Sequence, residues 1–192
     1  MSKLEIVLAS SSKIRRDIIS NYDVDVIFYN PKINEEQLKQ DNLNLNPRSL
    51  AALLAKSKAL SLADKFSEKF ILGCDQICIF NDKIMSKPLN EDKAISNLKE
   101  LSGNTHNLFG AYCVTKGNEI IIEHQIECEM EMRNLTDREI EEYVALDKPL
   151  ESCGAYKFEA NGFKLFKSVI GSLEAINGLP FADLKELIDA KI

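Results

Sequence analysis

Between Ile120 and Met132 the chain alternates with period two. Ile120, Ile122, His124, Ile126, Cys128, Met130 and Met132 fall on one face, and Glu123, Gln125, Glu127, Glu129 and Glu131 on the other. Successive side chains of a strand point to opposite faces, so this is one long strand, covered on one side and wetted on the other. The acidic side reads as a solvated strand face, and His124 as a hydrogen-bonded core histidine. Lys116-Gly117-Asn118 reads as a hairpin turn from a preceding strand over Thr105 to Thr115.

The other segments place helices among strands. Leu4 to Ala9 is a compact apolar run, a buried strand, and Ser12 is placed to cap a helix to about Asn21. Val24 to Tyr29 reads as a second strand and the Asn-rich stretch Pro31 to Leu45 as a loop. Asn46-Pro47 opens a long helix. Lys69 to Phe80 is strand-like with Gly73-Cys74-Asp75-Gln76 interrupting it, and Asn81-Asp82-Lys83 is a turn. Asn90 caps a helix that ends at Leu101-Ser102-Gly103. Thr136-Asp137-Arg138-Glu139 is a capping box, and Leu179-Pro180-Phe181 leads into a last amphipathic helix. Interleaved strands and helices define the α/β class.

Composition narrows the function classes. The length of 192 residues suits one domain or two small, intimately packed lobes. The 30 acidic against 24 basic residues leave a net charge of −6, so nucleic acid and anionic membrane are poor partners. A small basic pocket for a phosphorylated molecule stays compatible. Apolar stretches such as Phe70-Ile71-Leu72 fall far short of the ~20 residues of a membrane span. Met1-Ser2-Lys3-Leu4-Glu5 meets a charge at once and does not read as a signal peptide. The 5 cysteines are odd in number and lack Cys-x-x-Cys spacing, which suits reduced, buried thiols in a cytoplasmic protein.

Five places could carry chemistry. In Ser10-Ser11-Ser12-Lys13-Ile14-Arg15-Arg16, small residues and two arginines meet a helix start, a setting that suits an anion; an ordinary helix with solvated arginines fits as well. Asp75 breaks an apolar run, so it must be paired, hold a metal or stay at a mouth; a metal ligand, a general base and a hydrogen-bonded bend all fit. At ~100° per residue, Lys58 lies between Leu54 and Leu62 inside the apolar arc of its helix, either snorkelling or pointing at a site. Lys87, after a turn, and Glu159, in a glycine-bearing stretch, read as surface residues. The residues alone stop at an acidic α/β protein with a possible anion pocket and one odd aspartate.

Seven segments in order resemble the Maf family of nucleotide pyrophosphatases. They are Leu8-Ala9-Ser10-Ser11-Ser12 with Arg15-Arg16, Ile33-Asn34-Glu35, Leu54-Ala55 with Lys58-Ala59, Gly73-Cys74-Asp75-Gln76, Ser86-Lys87-Pro88, Leu101-Ser102-Gly103 with His106, and Ala175 to Pro180. The chain departs from the family pattern at Lys13 (Pro in the family), Ser86 (Gly) and Gly110-Ala111 (Thr-Gly), and each departure spares the charged groups.

The resemblance implies a mixed, twisted sheet with flanking helices, in one two-lobed domain over 1–192 with a central nucleotide cleft. It implies hydrolysis of nucleoside triphosphates between the α- and β-phosphates with Mg²⁺ or Mn²⁺. On the matched positions, Ser10, Arg15, Lys58 and Lys87 would bind phosphate, Glu35 and Asp75 the metal, and Asp75 would orient or deprotonate water. A homodimer is a family expectation only. One branch of the family, acting on dTTP and UTP, carries Asp-Thr and a late Gln. Another, acting on 7-methyl-GTP, carries Asp-Gln and a late Glu, as Gln76 and Glu159 do here. That second branch has Trp, able to stack on a cationic purine, where this chain has Ile14. A 7-methyl-GTP pyrophosphatase is therefore the leading expectation. A dTTP/UTP pyrophosphatase and a nucleotide-binding regulator of cell division without turnover are the alternatives.

Overall fold

A computed structural model describes residues 3–192. The reading of the extreme N-terminus falls partly on Met1 and Ser2, which lie outside the described residues. In chain order the elements are β1 (Glu5–Ala9), α1 (Lys13–Ile19), β2 (Asp25–Tyr29), α2 (Glu35–Asp41), α3 (Pro47–Leu60), β3 (Phe70–Phe80), β4 (Lys83–Met85), α4 (Glu91–Leu101), β5 (Thr105–Lys116), β6 (Glu119–Met132), α5 (Asp137–Asp147), β7 (Phe166–Ile170), α6 (Leu173–Ile176) and α7 (Phe181–Asp189). The strands form one mixed sheet of 7, ordered β2-β1-β3-β5-β6-β7, with β4 paired to β3. Among the described residues no helix is long and apolar enough to cross a membrane.

The chain divides into two compact units. The first holds the chain up to Asp75, Gly110–Ile126 and Leu173–Ile192; the second holds Gln76–Phe109 and Glu127–Ser172.

In the first unit β1 lies parallel to both neighbours, with Leu8 opposite Phe28 of β2 and Leu72 of β3. Parallel strands need crossovers, which α1 and α3 supply. A strand covered on both faces is continuously apolar, and Ile6 to Ala9 are fully buried. Around them pack Ile18, Ile19, Leu72, Val114, Leu179, Phe181, Leu184 and Ile188. At Gly73, opposite Ala9, helix and sheet approach closely. A Cβ there would stand 2.1 Å from the Ala55 carbonyl oxygen and 2.7 Å from the Ala59 nitrogen, both backbone atoms of α3. Gly73 thus marks where the helix bearing Lys58 rests on the strand bearing Asp75.

In the second unit β3 continues into a tight hairpin with β4, whose turn residues Asn81 and Asp82 have φ of 50° and 60°. Both are left-handed, as such a two-residue turn requires. The capping box forms as read: Glu139 N–H donates to Thr136 Oγ1 at 3.2 Å and Thr136 N–H to Glu139 Oε2 at 2.8 Å. His106 is buried, its Nε2 2.9 Å from Tyr156 Oη and its Nδ1 without a partner among the described residues.

Several local readings change. Pro31 to Leu45 is not all loop: Asn34 caps α2, accepting from Gln37 N–H at 3.1 Å. Gly73 to Gln76 do not interrupt β3, because Gly73 keeps its pairing with β1. Ser12 is the N-cap of α1, but its side chain makes no capping bond. His124 lies on the apolar side of β6 as read, yet its Nε2 is buried with no hydrogen-bond partner among the described residues. All 5 cysteines are free, and burial pushes the Cys74 thiol up to about 11.

Two outcomes follow for stability. Gly73→Ala should destabilise the chain by about 3 kcal/mol, the upper end for overpacking, because the obstructing atoms are backbone; urea unfolding will read it, and an unchanged midpoint would contradict the close approach. Burial holds His106 down at about 4, against 6.5 for a free imidazole. Between those values the unfolded chain binds the extra proton, so this contribution is complete above pH 6.5 and is lost as pH falls towards 4. Up to about 3 kcal/mol is at stake. Urea midpoints at pH 7 and 4.5 should fall more steeply for wild type than for His106→Gln.

Candidate active site

Helix α3 starts at Asn46, whose Oδ1 accepts from Ser49 N–H at 2.9 Å, with Pro47 in the first position. From that start the helical period carries Ala51, Leu54, Ala55, Lys58 and Ala59 to the buried side. Lys58 is 7% exposed. Its Nζ lies 2.7 Å from Asp75 Oδ1, 3.3 Å from Glu35 Oε2 and 3.4 Å from the Cys74 carbonyl oxygen. An ammonium has three donors, and three acceptors face it. Asp75 is nearly as buried, whereas Glu35, in the first turn of α2, stays about 40% exposed.

The second cation joins through the same carbonyl. Arg15 donates from Nη1 to the Cys74 oxygen at 3.1 Å and from Nε to the Gly178 oxygen at 2.9 Å. Arg15, Lys58, Glu35 and Asp75 thus form one neighbourhood, built from α1, α3, α2 and β3. Ser10, just after β1, is buried; its Oγ accepts from Ser12 N–H at 3.2 Å. Arg16 is otherwise employed: it donates to the Ser10 carbonyl at 2.9 Å and to Asn30 Oδ1 at 3.0 Å. Ile14 is half-buried against the core.

A clamp that no local signal announced steadies the Gly178 segment. Tyr22 donates its hydroxyl to Glu174 Oε1 at 2.5 Å, Ala182 N–H donates to Glu174 Oε2 at 3.0 Å, and Leu179 N–H donates to the Glu174 carbonyl at 2.8 Å. The Glu174 carboxylate beside it pushes the Tyr22 phenol up to about 12.

The remaining expected residues belong to the second unit. Gln76 follows Asp75 on β3, half-buried, and strand alternation sends its side chain to the opposite face. Lys87 is exposed, its Nζ 3.6 Å from Glu151 Oε2, a surface pair of small worth. Glu159 is exposed in a turn braced at its base: Asn161 donates to the Asp147 carboxylate from N–H at 2.9 Å and from Nδ2 at 2.8 Å.

Two carboxylates turned towards one positive group are a donor set that suits Mg²⁺ or Mn²⁺, hard ions that take oxygen. Among the described residues no group of three or more His, Cys, Asp or Glu could hold a metal by itself. Mg²⁺ commonly binds through one or two carboxylates, completed by water and substrate phosphates.

The family model described as Maf-like protein matches residues 5–191, and the chain belongs to that family. It is 35% identical over 188 residues to a Legionella pneumophila protein named nucleoside triphosphate pyrophosphatase, covering 97% of this chain and 94% of the relative. It is 35% identical over 190 residues to a Bdellovibrio bacteriovorus protein named 7-methyl-GTP pyrophosphatase, covering 98% of each. It is 34% identical over 185 residues to a Pyrococcus furiosus protein named dTTP/UTP pyrophosphatase, covering 96% and 94%.

Lys58→Ala leaves Asp75 and Glu35 facing each other without their counter-ion. We expect it to cost about 3 kcal/mol in urea unfolding, the range for breaking a buried pair, and Lys56→Ala on the same helix under about 1. Equal costs would contradict the special placement of Lys58.

Proposed function

We propose that the chain hydrolyses nucleoside triphosphates between the α- and β-phosphates, releasing a monophosphate and pyrophosphate, and that guanine-type nucleotides such as 7-methyl-GTP are preferred. The chain is an enzyme, a nucleoside triphosphate pyrophosphatase of the Maf-like family. The observation that carries the reading is the Lys58 ammonium, drawn inside the protein and facing Asp75 and Glu35 beside Arg15.

In this reading Arg15 and Lys58 take the polyphosphate oxygens, where charge grows as the bond breaks, with Ser10 as a further phosphate ligand. Asp75 orients a water molecule and receives its proton while the water oxygen bonds to the α-phosphorus. The bond from that phosphorus to the bridging oxygen breaks, and pyrophosphate leaves. A divalent cation held by Glu35 and Asp75 would neutralise phosphate charge. Two carboxylates among the cations favour turnover over a purely nucleotide-binding regulator of cell division, since holding phosphate alone asks for no carboxylate.

For the base, the Asp75-Gln76 pair and Glu159 match in sequence the pattern that the resemblance associates with 7-methyl-GTP, and that match, rather than a shared position in the fold, supports guanine. A carboxylate accepts from the N1–H and 2-amino donors of guanine and has no match with the acceptor oxygens of thymine or uracil. Relatives named for 7-methyl-GTP and for dTTP/UTP stand at nearly the same identity, so the residues and not the names support this choice. Ile14 lacks an aromatic face, which costs a cationic base about 0.5–2 kcal/mol. A lost donor–acceptor match discriminates far more strongly.

Asp75→Asn, folded by circular dichroism, should lose at least about 10²-fold in pyrophosphate release, the low end for a general base. Near-normal turnover would remove Asp75 from the mechanism. Specificity constants for GTP, 7-methyl-GTP, dTTP and UTP test the base. We expect both guanine nucleotides to lead, with a modest gap between them that Ile14→Trp widens, while Glu159→Gln erodes the guanine preference. A wild-type preference for dTTP or UTP by about tenfold would put the pyrimidine reading in its place.

A further inference from the structure

Lys58 stands between the two carboxylates assigned to the cation, Asp75 and Glu35. Its Nζ is 2.7 Å from Asp75 Oδ1 and 3.3 Å from Glu35 Oε2, carboxylates delivered by different elements. A divalent cation held by both would be a second positive charge facing the same two carboxylates. Ion and ammonium would then be two positive charges in one small, largely buried space, and at such separations repulsion inside a protein reaches many kcal/mol.

We infer that Lys58 is the resident counter-ion of Glu35 and Asp75, which a divalent cation displaces on entry, so that cation loading hands the ammonium over to the triphosphate. The inference rests on the proposed assignment of these carboxylates to the cation. The flexible four-carbon stem of lysine lets the charge swing while α3 stays in place. The Cys74 carbonyl, which accepts from both Nζ and Arg15 Nη1, sets the direction of the handover, because the freed ammonium already borders the guanidinium assigned to phosphate.

Displacement has a thermodynamic signature. Without triphosphate a cation must break an ion pair to bind, so it binds weakly. With triphosphate the displaced ammonium gains new partners, so cation and triphosphate each tighten the other by one factor. Removing Lys58 should strengthen binding of the cation alone and abolish most of that mutual tightening, although it weakens the enzyme. Arg15→Met separates this from a general loss of nearby charge: it removes an equal charge whose guanidinium is bonded to the Cys74 and Gly178 carbonyls, and should change cation binding only as weakly as a peripheral pair does.

The experiment measures Mn²⁺ binding by electron paramagnetic resonance of the free ion, for wild type, Lys58→Met, Lys58→Gln and Arg15→Met. Each is titrated without nucleotide and then with a triphosphate analogue carrying a methylene group between the α- and β-phosphorus. We expect both Lys58 variants to bind Mn²⁺ alone at least about tenfold more tightly than wild type, and Arg15→Met to stay within about threefold of it. The analogue should tighten Mn²⁺ about tenfold or more on wild type and less than about threefold on the Lys58 variants. Lys58 variants that bind Mn²⁺ no tighter than wild type, or only as much tighter as Arg15→Met, would overturn the inference. If neither variant folds, wild type still decides: no tightening of protein-bound Mn²⁺ by the analogue, after subtraction of the Mn²⁺ that the analogue holds alone, overturns the inference. Binding is read without turnover, so a failure to hydrolyse nucleotide would count against the proposed activity and not against the displacement.

Discussion

A lysine ammonium on the covered side of a helix is tolerable only with acceptors for its charge and its three N–H groups. Lys58 meets that demand with Asp75, Glu35 and the Cys74 carbonyl. The demand constrains the surroundings. β3 must bring Asp75 to the level of Lys58, and Gly73, two residues earlier, removes the side chain that would hold α3 away. α2 must begin where Glu35 can reach inward, and Asn34 caps it there. The Cys74 carbonyl, serving Lys58, also serves Arg15, and Arg15 reaches on to Gly178. Fold and proposed chemistry therefore share one set of contacts, and a change that loosens the packing at Gly73 acts on both.

Elements with a periodic apolar face were legible from residue order. The β6 alternation, the Asn46-Pro47 start of α3, the Asn90 cap of α4 and the Thr136 box all rest on local rules, and all four stand in the structure. Lys58 was legible for the same reason, since a cation inside a leucine arc contradicts the arc unless something receives it. α2 was not, because none of its residues is buried and its apolar pattern is blank. β7 was missed because its burial pattern is faint, with only Phe166 and Val169 half-buried. Tyr22 and Glu174 lie 152 residues apart, so no window joins them. Asp75 could be singled out as odd, but its partner was beyond sequence spacing, which leaves metal ligand, base and hydrogen-bonded bend equally open.

The acidic side of β6 shows how an ordinary explanation can suffice. Glu131 pairs with Lys167 at 2.6 Å and accepts from Ser168 Oγ at 2.6 Å, both on β7. Opposite charges facing each other across strands stabilise a sheet by a few tenths of a kcal/mol to about 1 kcal/mol. The same restraint applies to Arg16, which spans Ser10 and Asn30 and lies 5.5 Å over the Phe28 ring. Its neighbour Arg15 binds two backbone carbonyls that flank the Lys58 neighbourhood, and that placement, not charge alone, separates a candidate phosphate ligand from a brace.

At 2.7 Å, Lys58 and Asp75 should depend on each other energetically. A double-mutant cycle in urea unfolding measures that dependence, using Lys58→Met, Asp75→Asn and the two together. A coupling of about 2 kcal/mol is expected, with the double variant more stable than Lys58→Met alone, since a lone buried charge costs more than none. Additive effects, agreeing within about 0.5 kcal/mol, would mean that the two residues are neighbours without being partners, and the account built on them would fail.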